Sequence, residues 1–198
     1  MKLKASIEIM RPLNGLMGCV TIVVGILNTR LNDAPSSLTL HIVLACLMYF
    51  LIVSSAMIIN DIYDFKIDRI NRPGRPIPSG ALSLTEAKAL YGVTLGLAML
   101  TAVIHPLLLN LGFVNVFLAL FFGSVGWLYA AYGKKSGFMG NVIVSFSFSF
   151  GLIYGAFFSG FNIPYFIYFC IIQIPITAIF FSFFLQPMHG VYFDVFII

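Results

Sequence analysis

Residues 60–80 read NDIYDFKIDRINRPGRPIPSG, and this stretch holds three of the seven acidic residues of the 198-residue chain. The three are Asp61, Asp64 and Asp68, at spacings of three and four residues. If the preceding helix continues through this stretch, these spacings place all three carboxylates on one helical face, within an arc of about 60°. Like charges held this close repel one another, which predicts a cation at the acidic face.

The cation that suits this acidic face is Mg²⁺. Carboxylate oxygens with no His or Cys nearby are hard ligands, and Mg²⁺ prefers such oxygens while sharing the phosphate oxygens of a substrate. Asn60 adds a neutral oxygen or a donor. Cationic side chains follow at once, and arginine can hold phosphate oxygens in a bidentate fork. They are Lys66, Arg69, Arg72 and Arg75. Carboxylates beside these cations predict a diphosphate site.

Prolines and glycines shape the second half of the stretch. Pro73, Pro76 and Pro78 predict an extended chain rather than a helix, and Gly74 and Gly80 predict turns. We therefore expect the arginines on a stiff segment. The plain alternative is a juxtamembrane loop whose Asp and Arg side chains pair weakly in water. An EF-hand is excluded because its Asp-x-Asp-x-Asp-Gly pattern with a distant Glu is absent.

The rest of the chain is too apolar for a water-soluble globule, since 60% of residues are hydrophobic and only 9% are charged. The fold predicted is all-α, a polytopic transmembrane helix bundle. Ser83 and Glu86 have the spacing of a capping box, so the third span should begin just after Ser83. The six predicted spans lie near residues 12–30, 40–60, 84–108, 112–132, 140–160 and 164–185.

Basic residues fall almost entirely on one side of the predicted bundle. With six alternating spans, ten of the eleven lysines and arginines share one face and only Arg30 lies on the other. The positive-inside rule then places both termini and the Asp-rich, Arg-rich loop at residues 61–83 on the cytoplasmic side of the cell membrane. The net charge of +4 needs no nucleic-acid partner.

Three stretches resemble the UbiA superfamily of intramembrane prenyltransferases. NDIYDFKID at residues 60–68 resembles the family's first aspartate-rich motif, N-D-x-x-D-x-x-x-D. EIMRPLN at residues 8–14 is similar to the start of its first helix, and WLYAAYGKKSGFMGN at residues 127–141 to its link between the fourth and fifth helices. The resemblance implies a single transmembrane prenyltransferase domain over residues 1–198.

The resemblance also implies a mechanism. Mg²⁺ held by Asp61, Asp64 and Asp68, the expected catalytic residues, would activate a diphosphate leaving group. A dry chamber rich in aromatic side chains would hold the isoprenoid tail and keep water from the allylic cation. The partners implied are an isoprenoid diphosphate, a lipid acceptor and the membrane lipids.

Further site residues are implied by the resemblance alone. The expected diphosphate-binding residues are Asn60, Lys66, Arg69, Arg72, Arg75, Tyr129 and Lys134, and the expected acceptor or headgroup residues are Arg11 and Asn14. Tyr129 and Lys134 are five residues apart where the family pattern has four, with Gly133 at the expected lysine position. Tyr129 is equally well interpreted as an aromatic anchor at the membrane interface.

The tail NRPGRPIPSG at residues 71–80 is most similar to the archaeal digeranylgeranylglyceryl phosphate synthases. That similarity implies transfer of a geranylgeranyl group to geranylgeranylglyceryl phosphate in ether-lipid biosynthesis. Chlorophyll synthases carry a similar tail. An aromatic or tetrapyrrole acceptor of the quinone, chlorophyll or haem pathways therefore stays open.

The chain departs from the family pattern in its length. The family has roughly nine spans and a second aspartate-rich motif, whereas only His189 and Asp194 stand near that position here. We expect a chain truncated or frameshifted after about residue 182, which lacks its C-terminal third and turns over slowly or not at all. An inactive membrane protein is the non-enzymatic alternative.

Two other classes of membrane protein fit less well. A CDP-alcohol phosphotransferase needs Asp-Gly followed by Ala-Arg, and Asp64-Phe65-Lys66 does not match. A transporter would bury ionisable residues at mid-membrane, whereas the polar residues of the predicted spans are essentially Ser, Thr and Asn.

Overall fold

The computed structural model describes residues 2–30, 37–109 and 113–132, together with 143, 146–147, 150–152 and 154–155. Over these residues the chain is helical, as the sequence predicts. The five helices with defined bounds are α1 Lys2–Met10, α2 Pro12–Arg30, α3 Leu38–Asn71, α4 Leu84–Leu109 and α5 Val114–Ala131. The span predicted near 164–185 and most of the span near 140–160 lie outside the described residues.

Three of the helices, α3, α4 and α5, are long and apolar enough to cross a membrane. A fourth span is present if α1 and α2, bent by 41° at their junction, count as one. Large apolar side chains point outward from α4 and α5, for example Leu107 at 62% exposed and Phe117 at 72% exposed. Such a surface suits lipid rather than water. The chain is a multi-pass membrane protein.

The break between α1 and α2 lies at Arg11 and Pro12. Proline disfavours the helical conformation of the residue before it, and proline itself suits the first position of a helix. Arg11 adopts φ 48°, and it is the one residue other than glycine with a positive φ among those described. The backbone resumes hydrogen bonding at once, with Asn14 N donating to Arg11 O at 3.0 Å. The start of the predicted 12–30 helix is confirmed.

Helix α3 is longer than predicted, because it runs on from the expected 40–60 span through the acidic stretch to Asn71. Its 34 residues extend about 51 Å, well beyond a hydrocarbon core of about 30 Å. No helix-breaking residue occurs before Pro73, which disfavours helix at Arg72. The predicted 61–83 loop is therefore wrong in its first half, and the loop covers residues 72–83 only.

The 72–83 loop is turned rather than extended, which corrects a second expectation. Ser79 N donates to Arg75 O at 2.9 Å, and Leu82 N donates to Pro76 O at 2.9 Å. Gly80 has φ 76°, a conformation that glycine adopts without steric cost. Because prolines restrict φ without preventing turns, the loop folds back and buries Ile77 and Leu82 against α1, α3 and α4.

The predicted capping box at the start of α4 is present. Glu86 N donates to Ser83 Oγ at 3.2 Å, and Ser83 N donates to Glu86 Oε2 at 2.9 Å. These two bonds satisfy backbone donors that the first helical turn leaves open. They fix where the loop ends and α4 begins.

Helix α3 is the central element, since it packs against each of the other four helices. Small side chains allow the close approach of the bundle, as is common between membrane helices. Ala45, Ala98, Ala102 and Ala119 are fully buried at the contact of α3, α4 and α5. Gly18 of α2 lies under the ring of Tyr49, where a Cβ atom would collide with that ring.

Candidate functional site

The three acids of the motif lie on one buried face of α3. Asp61, Asp64 and Asp68 are only 3%, 6% and 1% exposed. The helix continues through them, so their spacing brings the side chains onto one side, as the sequence predicts. Buried carboxylates require compensating charge or hydrogen bonds. Two arginines from other parts of the chain supply much of that compensation.

Arg11 and Arg75 both contact the acids. Arg11 Nη2 lies 2.8 Å from Asp61 Oδ1. Arg75 Nη1 lies 2.7 Å from Asp68 Oδ2 and 3.4 Å from Asp61 Oδ1. Asp61 therefore shares one oxygen between a guanidinium from the α1–α2 break and one from the 72–83 loop. From the sequence, Arg11 was predicted to bind the acceptor or its headgroup. In the structure it contacts Asp61, which was predicted to bind the metal.

Asn60 completes the acidic face. Its Nδ2 donates to Asp64 Oδ2 at 3.2 Å. Its Oδ1 is buried and has no hydrogen-bond partner within the part of the chain that the structure describes. A buried amide oxygen without a partner is costly, unless a cation or a donor from a ligand reaches it.

Two other predicted diphosphate-binding residues, Lys66 and Arg69, point away from the buried acids. Lys66 and Arg69 are exposed, and at 100° per residue Lys66 points to roughly the opposite side of α3. The Arg69 guanidinium lies 5.6 Å from the centre of the Phe65 ring. Arg72 is partly buried where α3 ends. Lys134 lies outside the described residues.

The oxygen-rich donor set fits Mg²⁺, although the acids do not form one tight cluster. Among residues 2–30, 37–109 and 113–132 and the short pieces after them, no three Asp, Glu, His or Cys side chains can hold one ion together. Arg11 and Arg75 lie against Asp61 and Asp68. Mg²⁺ typically takes one or two carboxylates and completes its shell with water and phosphate oxygens. One or two of the carboxylates of Asp61, Asp64 and Asp68, with the amide oxygen of Asn60, would hold it.

A long apolar cavity begins directly below the acids, with an empty volume of about 910 Å³ that includes its opening to the outside. Its mouth is marked by Asn14, Met57 and Tyr129, and Met57 Sδ lies 3.8 Å from both Arg11 Nη1 and Asn14 Nδ2. On α3 the cavity is lined by Tyr49, Val53 and Met57, which are four residues apart and so lie on one face of the helix. Asp61 is the next residue at this spacing, so the same face continues into the acidic face. The cavity matches the expected chamber in polarity and in its aromatic residues.

Tyr129 and Asn14 therefore lie at the cavity mouth rather than among the acids. Both were predicted as binding residues, Tyr129 for the diphosphate and Asn14 for the acceptor. Asn14 is buried, and its amide donates to Met57 Sδ. The structure thus places both residues between the acidic face and the apolar cavity.

A second polar cluster, which the sequence analysis missed, lies at the other end of the bundle. His105 Nε2 is 2.9 Å from His41 Nδ1, and Asn115 Nδ2 is 2.9 Å from His105 Nδ1. All three side chains are buried. They join α3, α4 and α5 at a level about 30 Å from Asp61, since 20 residues of α3 separate His41 from it. The prediction of essentially Ser, Thr, Asn and Gly at mid-membrane did not cover these histidines, which lie near the ends of the predicted 40–60 and 84–108 spans.

Comparisons with known proteins agree with the helical fold. A digeranylgeranylglyceryl phosphate synthase of Korarchaeum cryptofilum is 37% identical over 160 residues, covering 80% of this chain and 53% of the relative. Its counterpart in Thermococcus sibiricus is 38% identical over 156 residues, covering 79% and 53%. The chain spans about half the length of these curated relatives.

A solved structure of a digeranylgeranylglyceryl phosphate synthase has a similar fold, with a TM-score of 0.76 and 26% identity. The match covers 89% of this chain and 60% of that one. The model of the UbiA prenyltransferase family matches residues 19–196, nearly the whole length. On these grounds, together with the buried N-D-x-x-D-x-x-x-D face of α3, the chain belongs to the UbiA prenyltransferase family.

Proposed function

We propose that the chain binds geranylgeranyl diphosphate with Mg²⁺ and transfers the geranylgeranyl group to geranylgeranylglyceryl phosphate in ether-lipid biosynthesis. The observation that carries this proposal is the position of the acidic face: three buried carboxylates stand directly above an apolar cavity. A charged site on top of an apolar chamber suits a substrate with a diphosphate head and a hydrocarbon tail. The name of the relatives gives digeranylgeranylglyceryl phosphate as their product, which supports geranylgeranylglyceryl phosphate as the acceptor.

The metal and the acids act on the diphosphate head. Mg²⁺, when bound, would neutralise the charge that develops on the departing diphosphate. Asp61, Asp64 and Asp68 present oxygens on one face for it, and beside them stands the Asn60 amide oxygen, which has no hydrogen-bond partner among the described residues. The rigid helix fixes these donors before the substrate arrives, so little reorganisation is needed at the moment of reaction.

Arg11 and Arg75 change partners in this proposal. Without substrate they neutralise Asp61 and Asp68. With Mg²⁺ on the carboxylates, the guanidinium groups of Arg11 and Arg75 would be available to the diphosphate oxygens, for which a planar bidentate donor is well suited. The arginines thus keep the buried acids neutralised in one state and hold the leaving group in the other.

The transfer itself breaks one bond and forms one bond. The bond between the first prenyl carbon and the diphosphate oxygen breaks, and diphosphate leaves with the electron pair. The hydroxyl oxygen of the acceptor bonds to that carbon and releases its proton. Apolar walls around Met57 and Val53 exclude water, which would otherwise capture the allylic cation.

The acidic face belongs on the cytoplasmic side in this proposal. Lys2, Lys4, Lys66 and Lys88 lie at the same end of the bundle as the acids, and the positive-inside rule assigns that end to the cytoplasm. Labelling of these lysines by a membrane-impermeant amine reagent in inside-out vesicles, and protection in right-side-out vesicles, supports the orientation. The reverse pattern overturns it.

The test measures binding and transfer by the chain in lipid nanodiscs. We expect Mg²⁺-dependent binding of geranylgeranyl diphosphate that EDTA abolishes and that Asp64→Asn weakens by about tenfold or more. Glu8→Gln, which removes an exposed carboxylate on α1, is the matched control. Mass spectrometry then compares geranylgeranylglyceryl phosphate with hydroxybenzoate and a chlorophyllide as acceptors. Binding that ignores both EDTA and Asp64→Asn contradicts the proposed site, and transfer to an aromatic or tetrapyrrole acceptor contradicts the proposed acceptor.

A further inference from the structure

The apolar cavity has a definite depth along α3, and that depth can be compared with the length of an isoprenoid. Its α3 wall runs from Met57, one turn below Asp61, to Met48. Thirteen residues separate Met48 from Asp61, which is about 20 Å of helix. An extended carbon chain advances about 1.2 Å per bond, as in an extended polypeptide. With four main-chain bonds in each isoprene unit, four units extend about 20 Å.

We infer that this cavity measures the donor tail, with Met48 and Tyr154 as its floor, and that it selects tails of four isoprene units. The inference rests on the proposed function, since it takes the diphosphate to lie at Asp61, Asp64 and Asp68. It adds a specificity that neither the acidic face nor the reaction requires. A site that only activates diphosphate would accept shorter and longer tails alike.

The floor is closed by packed side chains. Tyr154 and Met48 are each 2% exposed, and Tyr154 Oη lies 3.7 Å from Met48 Sδ. Tyr49 is held beside them, because its Oη donates to Ser147 O at 3.0 Å. Beneath this floor the fully buried alanines 45, 98, 102 and 119 bring α3, α4 and α5 into close contact. A longer tail would have to displace this packing, which is costly in a dense core.

The upper part of the cavity has a narrow point that provides a second marker of depth. Gly126 of α5 faces Ala56 of α3, and a Cβ atom on Gly126 would come within 2.9 Å of Ala56 Cβ. Ala56 lies five residues below Asp61, about 8 Å along the helix. A large side chain at Gly126 would therefore narrow the cavity after one or two isoprene units, about 8 Å along α3 from Asp61.

The experiment compares donors of one to five isoprene units in the full chain, by Mg²⁺-dependent binding and by transfer. For each variant we compare the ratios of binding and of transfer between donors of different length. A smaller amount of folded protein lowers all donors equally and does not change these ratios. For the unsubstituted chain we expect a maximum at four units. For Met48→Ala we expect the ratio of five units to four to rise about fivefold or more, since the floor is lowered.

Two further variants and a control sharpen the test. For Gly126→Leu we expect binding of three-unit and four-unit donors to fall about tenfold or more relative to the one-unit donor. Met48→Leu conserves volume and keeps the maximum at four units. Leu120→Ala is the control, because this α5 side chain is 52% exposed and does not line the cavity.

The outcomes separate this inference from the function on which it rests. Equal binding of all donors by the unsubstituted chain, or unchanged ratios in both Met48→Ala and Gly126→Leu, overturns the measuring role and leaves the transferase proposal standing. Failure of the unsubstituted chain to bind any prenyl diphosphate with Mg²⁺ overturns both. A shift of the maximum toward five units in Met48→Ala, with Leu120→Ala unchanged, supports the floor assigned here.

Discussion

Arg11 Nη2 lies 2.8 Å from Asp61 Oδ1, although 50 residues separate the two in sequence. The arginine reaches the acid because the chain breaks between α1 and α2 at this residue, with φ 48°. Positive φ is unfavourable for any side chain other than glycine, so the ion pair compensates for local strain. Asp61, which was predicted to bind metal, thus forms an ion pair with Arg11, whose backbone has a positive φ.

Substitution of Arg11 should separate the effect of its charge from that of its backbone. Arg11→Ala leaves the buried Asp61 with only its longer contact to Arg75, so we expect a loss of about 2–3 kcal/mol in the free energy of unfolding. Arg11→Gly removes the same ion pair but tolerates φ 48°, and it should be more stable than Arg11→Ala by about 1 kcal/mol. Unfolding in detergent measures both values, and equal stability of the two variants would show that the φ angle carries no strain.

Arg75 and Lys66 give a matched test of which cations serve the diphosphate. Arg75 contacts Asp61 and Asp68, whereas Lys66 is exposed on the other side of α3. We expect Arg75→Ala to weaken Mg²⁺-dependent diphosphate binding about tenfold or more and Lys66→Ala to change it less than about twofold. Titration with geranylgeranyl diphosphate provides the measurement. A larger effect at Lys66 than at Arg75 would contradict the switch of arginine partners.

The His41–His105–Asn115 cluster should stabilise the bundle without affecting the site. His105→Leu removes both 2.9 Å contacts, and we expect it to lower the free energy of unfolding by about 1–3 kcal/mol. A double-mutant cycle between His105 and Asn115 should give a coupling energy of about 0.5 kcal/mol or more. Diphosphate binding should stay unchanged, since Asp61 is about 30 Å away along α3. Loss of binding in a folded His105→Leu variant would reveal a link between the two ends.

The capping box predicts a modest, local effect at the start of α4. Ser83→Ala removes the hydroxyl that accepts from Glu86 N, and we expect a loss of about 1 kcal/mol in stability. Ser83→Thr keeps an acceptor at this position and should cost only a few tenths of that amount. Thermal unfolding of both variants in detergent measures these losses of stability. Indistinguishable melting of Ser83→Ala and the unsubstituted chain would mean that the loop, and not the cap, fixes the helix start.

Local sequence signals predicted the helix boundaries that depend on neighbouring residues. Pro12 begins α2, and Ser83 with Glu86 begins α4, because proline geometry and capping act within one turn. The common face of Asp61, Asp64 and Asp68 was predictable for the same reason, since helical spacing alone decides it. The end of α3 was placed eleven residues too early, because charged residues suggested a loop although nothing before Pro73 breaks a helix.

Contacts between distant segments could not be predicted from a single sequence. No spacing rule links Arg11 to Asp61 or His41 to His105, since only the packing of α2, α3 and α4 brings them together. The turned loop that carries Arg75 to Asp68 was missed as well, because its anchors Ile77 and Leu82 find their partners on other helices. The cavity has no local signature either, since its walls come from several helices.

One uninterrupted helix carries both Met48 at the cavity floor and Asp61 at the acidic face, so insertions and deletions between them have calculable effects. Deleting one residue turns the acids by about 100° relative to the cavity, so that the diphosphate head and the prenyl tail of the donor can no longer bind at the same time. Deleting seven residues restores the angle to within about 20° and shortens the chamber by about 10 Å, or two isoprene units. A change of length here therefore keeps the acids above the cavity only when it is close to a whole number of helical turns, and a two-turn deletion would exchange a four-unit donor for a two-unit one.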